Sequence, residues 1–109
     1  GFVQIALDLG EGRRPLDALE FGGIELDIYG NAEDYNCHIR TKDVRRYEQS
    51  YQATFNAPRR WTTISLPWTA FTPYKINAPL NVSQLLRVGI LGWMRDFYAD
   101  IAVSRISLI

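Results

Sequence analysis

The stretch Gly23-Ile24-Glu25-Leu26-Asp27-Ile28-Tyr29-Gly30-Asn31 decides the fold class. In an extended chain Ile24, Leu26 and Ile28 share one face and Glu25, Asp27 and Tyr29 the other, which is the period of a strand with one buried side. Gly30-Asn31 is a turn signal, and from residue 34 to 41 the alternation resumes. There Tyr35, Cys37 and Ile39 lie on one side, and Asn36, His38 and Arg40 on the other. The reading is an antiparallel hairpin of residues 23–29 and 34–41.

The same period recurs in both directions along the chain. Residues 2–9 place Val3, Ile5, Leu7 and Leu9 on one face. Residues 50–57 alternate Tyr51, Ala53 and Phe55 against Gln52, Thr54 and Asn56, until Pro58 removes a ladder donor. A further strand is expected over 61–66, followed by a loop with aromatic anchors over 68–71, bracketed by Pro67 and Pro73. Residues 81–86 suit one helical turn capped by Asn81 or Ser83, and 87–94 return to strand with Val88 and Ile90 inward. The closing run, 101–109, slips its alternation near Ser104 and Arg105, as a bulge would cause. Short strands with no amphipathic helix between them make an all-β fold, an antiparallel sandwich or jelly roll.

Composition bounds the function. The 109 residues are the size of one domain, so a single jelly roll over 1–109 is expected. With 47% hydrophobic and 22% charged residues the chain is globular, and at this length it buries about two-thirds of its unfolded surface. Twelve Lys and Arg balance twelve Asp and Glu. The global positive field that draws proteins to phosphate backbones is therefore missing, which disfavours nucleic acid as a partner. One Cys and one His exclude an internal disulfide and a zinc set built on Cys and His. No apolar run approaches the ~18 residues of a membrane-spanning helix, because Arg87 interrupts residues 85–94. The start at Gly1, inside a strand-like run, reads as a processed or trimmed product.

Several pieces, in order, resemble one known family: Gly1-Phe2, then Leu16-Asp17 with Phe21-Gly22-Gly23-Ile24-Glu25-Leu26, then Gly30-Asn31, Tyr35 and Arg40-Thr41. Trp61, Leu66-Pro67-Trp68, Phe71-Thr72-Pro73 and Val88-Gly89-Ile90 continue the match. The chain resembles the complex I intermediate-associated protein 30 family, whose domain is a galactose-binding-like jelly roll. The family usually carries a further segment ahead of Gly1, so the resemblance implies that an edge strand is missing and that the open edge accepts a strand in trans. It has Ala99-Asp100 where the family often has Gly-Pro-Phe. The resemblance implies an accessory, non-catalytic role in assembling respiratory complex I, with respiratory-complex subunits or assembly factors as protein partners. It places the protein inside the cell, in the mitochondrial matrix of a eukaryote or the cytoplasm of a bacterium. No catalytic residues, cofactor or metal come with it, and Trp61 and Phe71 match core positions. Carbohydrate-binding modules share the scaffold, which does not fix function.

The residues themselves offer few sites. Cys37 and His38 are strand neighbours pointing to opposite faces, so they make a poor nucleophile and base, and Cys37 reads as a small buried filler. Glu25 and Asp27 share a face at roughly 7 Å, a spacing that suits a glycosidase pair, but cross-strand pairing with Arg40 or His38 is the plainer reading. Gly10-Glu11-Gly12 reads as a turn, and Asn81-Val82-Ser83 as a chance glycosylation triplet. Arg45-Arg46 and Arg59-Arg60, with Tyr47 and Trp61 nearby, suit a solvated face or a protein-contact rim. Trp93, Tyr98, Trp68 and Tyr74 are more large aromatics than loops and strand ends need for packing. The leading expectation is a protein-binding domain that uses such residues. The runner-up is a carbohydrate-binding module using Trp93, Tyr98 and a face bearing Glu25, His38 and Arg40; a glycoside-processing enzyme is weakest.

Overall fold

A computed structural model describes residues 2–10, 14–93 and 100–109. Eight strands follow in order: β1 (Phe2–Asp8), β2 (Gly23–Tyr29), β3 (Glu33–Thr41), β4 (Ser50–Ala57), β5 (Thr62–Pro67), β6 (Thr72–Tyr74), β7 (Leu85–Trp93) and β8 (Ala102–Leu108). They form a five-stranded sheet in the order β1-β7-β3-β4-β6 and a three-stranded sheet in the order β5-β2-β8. Every pairing among the described residues is antiparallel. The fold is thus the antiparallel β-sandwich that the alternation indicated.

The core lies between the sheets. Ile24, Leu26 and Ile28 of β2 are at most 1% exposed, and they meet the equally buried Tyr35, Cys37 and Ile39 of β3, Tyr51 of β4, and Val88 and Ile90 of β7. The bulge stands where the alternation slips, because Asp27 pairs with Arg105 and Ile28 with Val103, leaving Ser104 over. The expected helical turn is a short 3-10 turn, Val82–Gln84, capped by Asn81, whose Oδ1 accepts from the Ser83 amide at 3.1 Å. The segment after Pro67 is likewise a 3-10 turn, Trp68–Ala70.

The pairing of β2 with β3 is a correction. These strands are not hairpin neighbours; they belong to different sheets and face one another across the core. The Gly30-Asn31 connection crosses the sandwich, and its amides are satisfied by the end of β4: Gly30 N–H donates to the Pro58 carbonyl at 2.8 Å and Ala32 N–H to that of Ala57 at 2.7 Å. Facing each other across the core, the two strands close Ile24, Leu26 and Ile28 against Tyr35, Cys37 and Ile39, which satisfies both alternations without a shared ladder. The smaller sheet has three strands against five, and the inner-face residues Ile5 and Leu7 of edge strand β1 remain 37% and 48% exposed.

Among the described residues no helix is long and apolar enough to cross a membrane. Among the same residues, no group of three or more His, Cys, Asp or Glu could hold a metal ion.

Candidate functional site

The outer face of the larger sheet carries a cleft of about 420 Å³. Strand alternation builds its floor, since the residues that do not enter the core must face out. In the register, His38 stands between Gln52 of β4 and Gly89 of β7, and Arg40 stands opposite Arg87. Ser50 and Leu91 complete the floor, while Tyr47 and Glu48, from the loop after β3, and Tyr74 and Lys75, at the end of β6, form the walls. A recess of about 50 Å³ shares the floor beside His38 and Gly89.

The walls are tied together by hydrogen bonds. Gln49 Oε1 accepts from the Arg45 and Arg46 amides at 2.8 and 3.0 Å, and Gln49 Nε2 donates to the Lys75 carbonyl at 3.0 Å. The loop after β3 is therefore tethered to the segment after β6. Arg40 Nη2 donates to the Arg46 carbonyl at 3.3 Å. Lys75 Nζ lies 5.3 Å from the centre of the Tyr74 ring, within cation–π range. Tyr47 is 88% exposed and Tyr74 44%, so both rings offer apolar surface to a ligand.

His38 is half-buried in this floor. Burial first, and then the nearby Arg40 charge, hold its imidazole below the usual histidine range, which keeps it neutral at pH 7. Its Nε2 is buried, with no hydrogen-bond partner among the described residues. Arg87 pairs with Asp8 at 3.0 Å on exposed surface, where such a contact contributes little.

The other candidate residues do not join this cleft. Glu25 and Asp27 lie on the outer face of the smaller sheet, on the opposite side of the sandwich from His38 and Arg40. Their pairing with Arg40 or His38 is thereby corrected, as is the idea of one face bearing Glu25, His38 and Arg40. Both carboxylates are instead bound by Arg105 of β8, at 2.7 Å to Glu25 and 2.8 Å to Asp27, with Ser65 and Thr63 of β5 adding hydroxyl donors. Hydrogen bonds from Arg105 and then Thr63 hold the Asp27 carboxyl below its ordinary value. Because β2 pairs with β5 and β8, these are the cross-strand neighbours it has.

Trp68 turns its indole N–H inward to the Phe21 carbonyl at 2.7 Å and tilts its ring against Phe71, so it clamps the loop. Phe71 is buried, but Trp61 departs from the core role given to it: it is 59% exposed and stands edge-on to Tyr29, just before the edge strand β5. Tyr98 and the Trp93 side chain lie outside the described residues. Sequence reasoning missed Arg87, Lys75, Ser50 and Gln52 as members of one site. The signals present were the outward phase of Gln52 and the charge that interrupts the apolar run at Arg87.

Cys37 is a buried filler, fully enclosed, and burial pushes its thiol up to about 12. A thiol so far from ionisation is unreactive, since the thiolate is the nucleophile. The folded protein is expected to leave a thiol-reactive disulfide reagent unconsumed at pH 8, while the urea-unfolded chain reacts in full. Rapid reaction without denaturant would contradict the burial.

The comparisons with known proteins agree with this architecture. No curated protein matches the chain. Among solved structures, the family 11 carbohydrate-binding module of the cellulosomal cellulase Lic26A-Cel5E of Clostridium thermocellum superposes with a TM-score of 0.79 at 16% identity, covering 99% of this chain and 66% of that one. This chain therefore spans about two-thirds of that structure. A second structure, the family 11 module from Clostridium thermocellum in complex with a beta-1,3-1,4-mixed-linked tetrasaccharide, gives 0.71 at 15% identity, covering 100% of this chain and 84% of that one. At such identities the likeness establishes the jelly-roll fold. The sequence itself matches the family described as Complex I intermediate-associated protein 30 (CIA30) over residues 1–98. With nearly the whole chain matched and the fold in agreement, the protein belongs to the complex I intermediate-associated protein 30 family.

Proposed function

We propose that this is a non-catalytic binding domain that acts through protein–protein contacts, as an assembly factor does, and that the cleft on the outer face of the larger sheet makes the contact. The observation that carries this reading is the makeup of the cleft. A polar floor of Ser50, Gln52, His38, Arg40 and Arg87 is flanked by exposed Tyr47 and Tyr74, and tyrosine and arginine are the side chains that anchor protein interfaces. A volume of about 420 Å³ is also that of a recognition pocket. Family membership supports respiratory-complex subunits or assembly factors as the partners, and an intracellular site for the contact. Against a glycosidase, both Glu25 and Asp27 are bound by Arg105 on the far surface, away from any described cleft.

The test is site-directed crosslinking in the native host, with a benzophenone side chain carried in place of Tyr74 or, on the opposite surface, in place of Ser65. Adducts with a defined set of respiratory-complex proteins are expected from position 74 and not from position 65. Equal adduct patterns from both positions would remove the cleft from the function.

One observation favours a second reading, a carbohydrate-binding module: two exposed tyrosines line a cleft rich in amide and hydroxyl groups, which suits stacking on sugar rings. Calorimetric titration with a panel of neutral oligosaccharides, mixed-linked glucan included, separates the two. Saturable binding that is lost in Tyr74→Ala would replace the protein reading, and flat titrations would remove the sugar.

A further inference from the structure

On the cleft floor Arg40 and Arg87 stand directly opposite each other in the antiparallel register of β3 and β7. Opposed side chains start only ~5 Å apart in such a pair, and like charges there weaken the sheet. Composition does not force this arrangement, because the chain has as many Asp and Glu as Lys and Arg, twelve of each. Lys75 adds a third cation, and among the described residues Glu48 is the one acidic side chain lining the same cleft. Arg87 has only the exposed contact with Asp8, and Arg40 bonds a backbone carbonyl and no carboxylate among the described residues. Guanidinium groups bind planar carboxylates through paired donors, so two of them rooted side by side in one cleft offer that group a site once they turn from Asp8 and the Arg46 carbonyl.

His38 completes the floor beneath them. Gly89, opposite it in register, carries no side chain to fill the space, and the small recess opens there. The imidazole Nε2 is buried and unpartnered among the described residues. A neutral imidazole has one N–H, and a buried donor without an acceptor is costly. A carboxylate held between the arginines supplies the acceptor once the side chains covering Nε2 move aside, with Nε2 carrying the proton.

We propose that this floor is a carboxylate subsite formed by Arg40, Arg87 and His38, and that its occupant is an acidic peptide segment of a partner protein. This rests on the cleft being the recognition surface. A peptide is taken over an acidic glycan because the proposed function puts a protein on this cleft, where the exposed Tyr47 ring beside the cations can receive an apolar side chain. A peptide can set apolar side chains between carboxylates, whereas a uronate chain has none to offer.

The probe is a fluorescein-labelled peptide alternating glutamate with leucine, followed by anisotropy. It is compared with its glutamine analogue and with an oligogalacturonate competitor. The glutamate peptide is expected to bind saturably, and to weaken about tenfold or more in Arg40→Ala and in Arg87→Ala. Binding should fall steeply as salt rises from about 0.05 M to about 0.5 M. Arg59→Ala combined with Arg60→Ala, which removes two exposed charges elsewhere, should change affinity less than about twofold. His38→Gln, which keeps a donor, should bind better than His38→Leu. Equal affinity for the glutamine peptide would overturn the carboxylate subsite while leaving the cleft as a binding surface. Complete displacement by oligogalacturonate at lower concentration than the unlabelled peptide would overturn the choice of a peptide. If no peptide binds while crosslinking at position 74 still succeeds, the inference fails and the function stands; failure of both removes both.

Discussion

Gly30→Val is expected to destabilise the protein by about 3 kcal/mol or more, lowering the midpoint of thermal unfolding by roughly 12 °C or more. The cause is a close approach of backbones. Gly30 is buried where the chain passes from one sheet to the other, and a Cβ there would overlap the Ala57 Cβ and carbonyl oxygen at the end of β4. That same carbonyl accepts from the Ala32 amide, and the Gly30 amide donates to Pro58, so relief of the overlap would cost both hydrogen bonds. Were β2 and β3 hairpin neighbours, Gly30 would sit in a solvated turn, and valine would cost only its turn preference, about 1 kcal/mol. The measurement therefore separates the two topologies. Ala32→Gly provides the local control: Ala32 holds a φ of 68°, a strained value for alanine, so glycine relieves strain as it adds unfolded-state entropy. Its net effect should stay within about 1 kcal/mol of zero. A Gly30→Val protein as stable as wild type would refute the crossing.

This contrast marks what the sequence could and could not convey. Period-2 alternation reports which side of a strand is buried, and it identified the buried faces of β2, β3, β4 and β7 because burial is a one-body property of each segment. It is silent on which strand lies alongside, since many pairings bury the same faces equally well. Gly30-Asn31 therefore looked like a hairpin turn although its partner is β4, from a later part of the chain. The misplacement of Glu25 follows from the same cause: its true neighbours, Arg105 and Ser65, are far along the chain. Strand β6 was missed because three residues containing Pro73 carry no readable period. His38 and Arg40 were visible as outward residues of their strand. Their meeting with Arg87 and Lys75 depends on β7 and β6 flanking β3 and β4, which is information about topology. Trp68 was conspicuous for its size, yet a single hydrogen bond to Phe21 turns it toward the fold.

The second large effect is expected at Tyr51, which is fully buried on the inner face of β4. Its hydroxyl donates to the Ala78 carbonyl at 2.7 Å, with the Pro79 carbonyl at 3.3 Å, so the ring fills the core while its tip fastens the segment between β6 and the Val82–Gln84 turn. Tyr51→Ala removes both roles and should cost about 4 kcal/mol, in the range for loss of a buried aromatic ring. Tyr51→Phe keeps the ring and gives up the hydroxyl, leaving the Ala78 carbonyl short of a donor, so a loss of about 1 to 2 kcal/mol is expected. The two variants also differ in where they act. Removal of the hydroxyl should speed amide exchange mainly in residues 76–80, whereas loss of the ring should lower protection throughout the sandwich. Because Lys75 and Tyr74 border that segment and wall the cleft, Tyr51→Phe should also weaken peptide binding without touching a residue of the floor. Burial, and then the Asp43 charge, raise the phenol above its ordinary 10. The unfolded chain loses that proton first, so wild-type stability should decline as pH climbs from about 10 through the higher folded value, and Tyr51→Phe should show less of that decline. A Tyr51→Ala protein within about 1 kcal/mol of wild type would mean that the ring does not join the two sheets, and the packing described for the core would have to be redrawn.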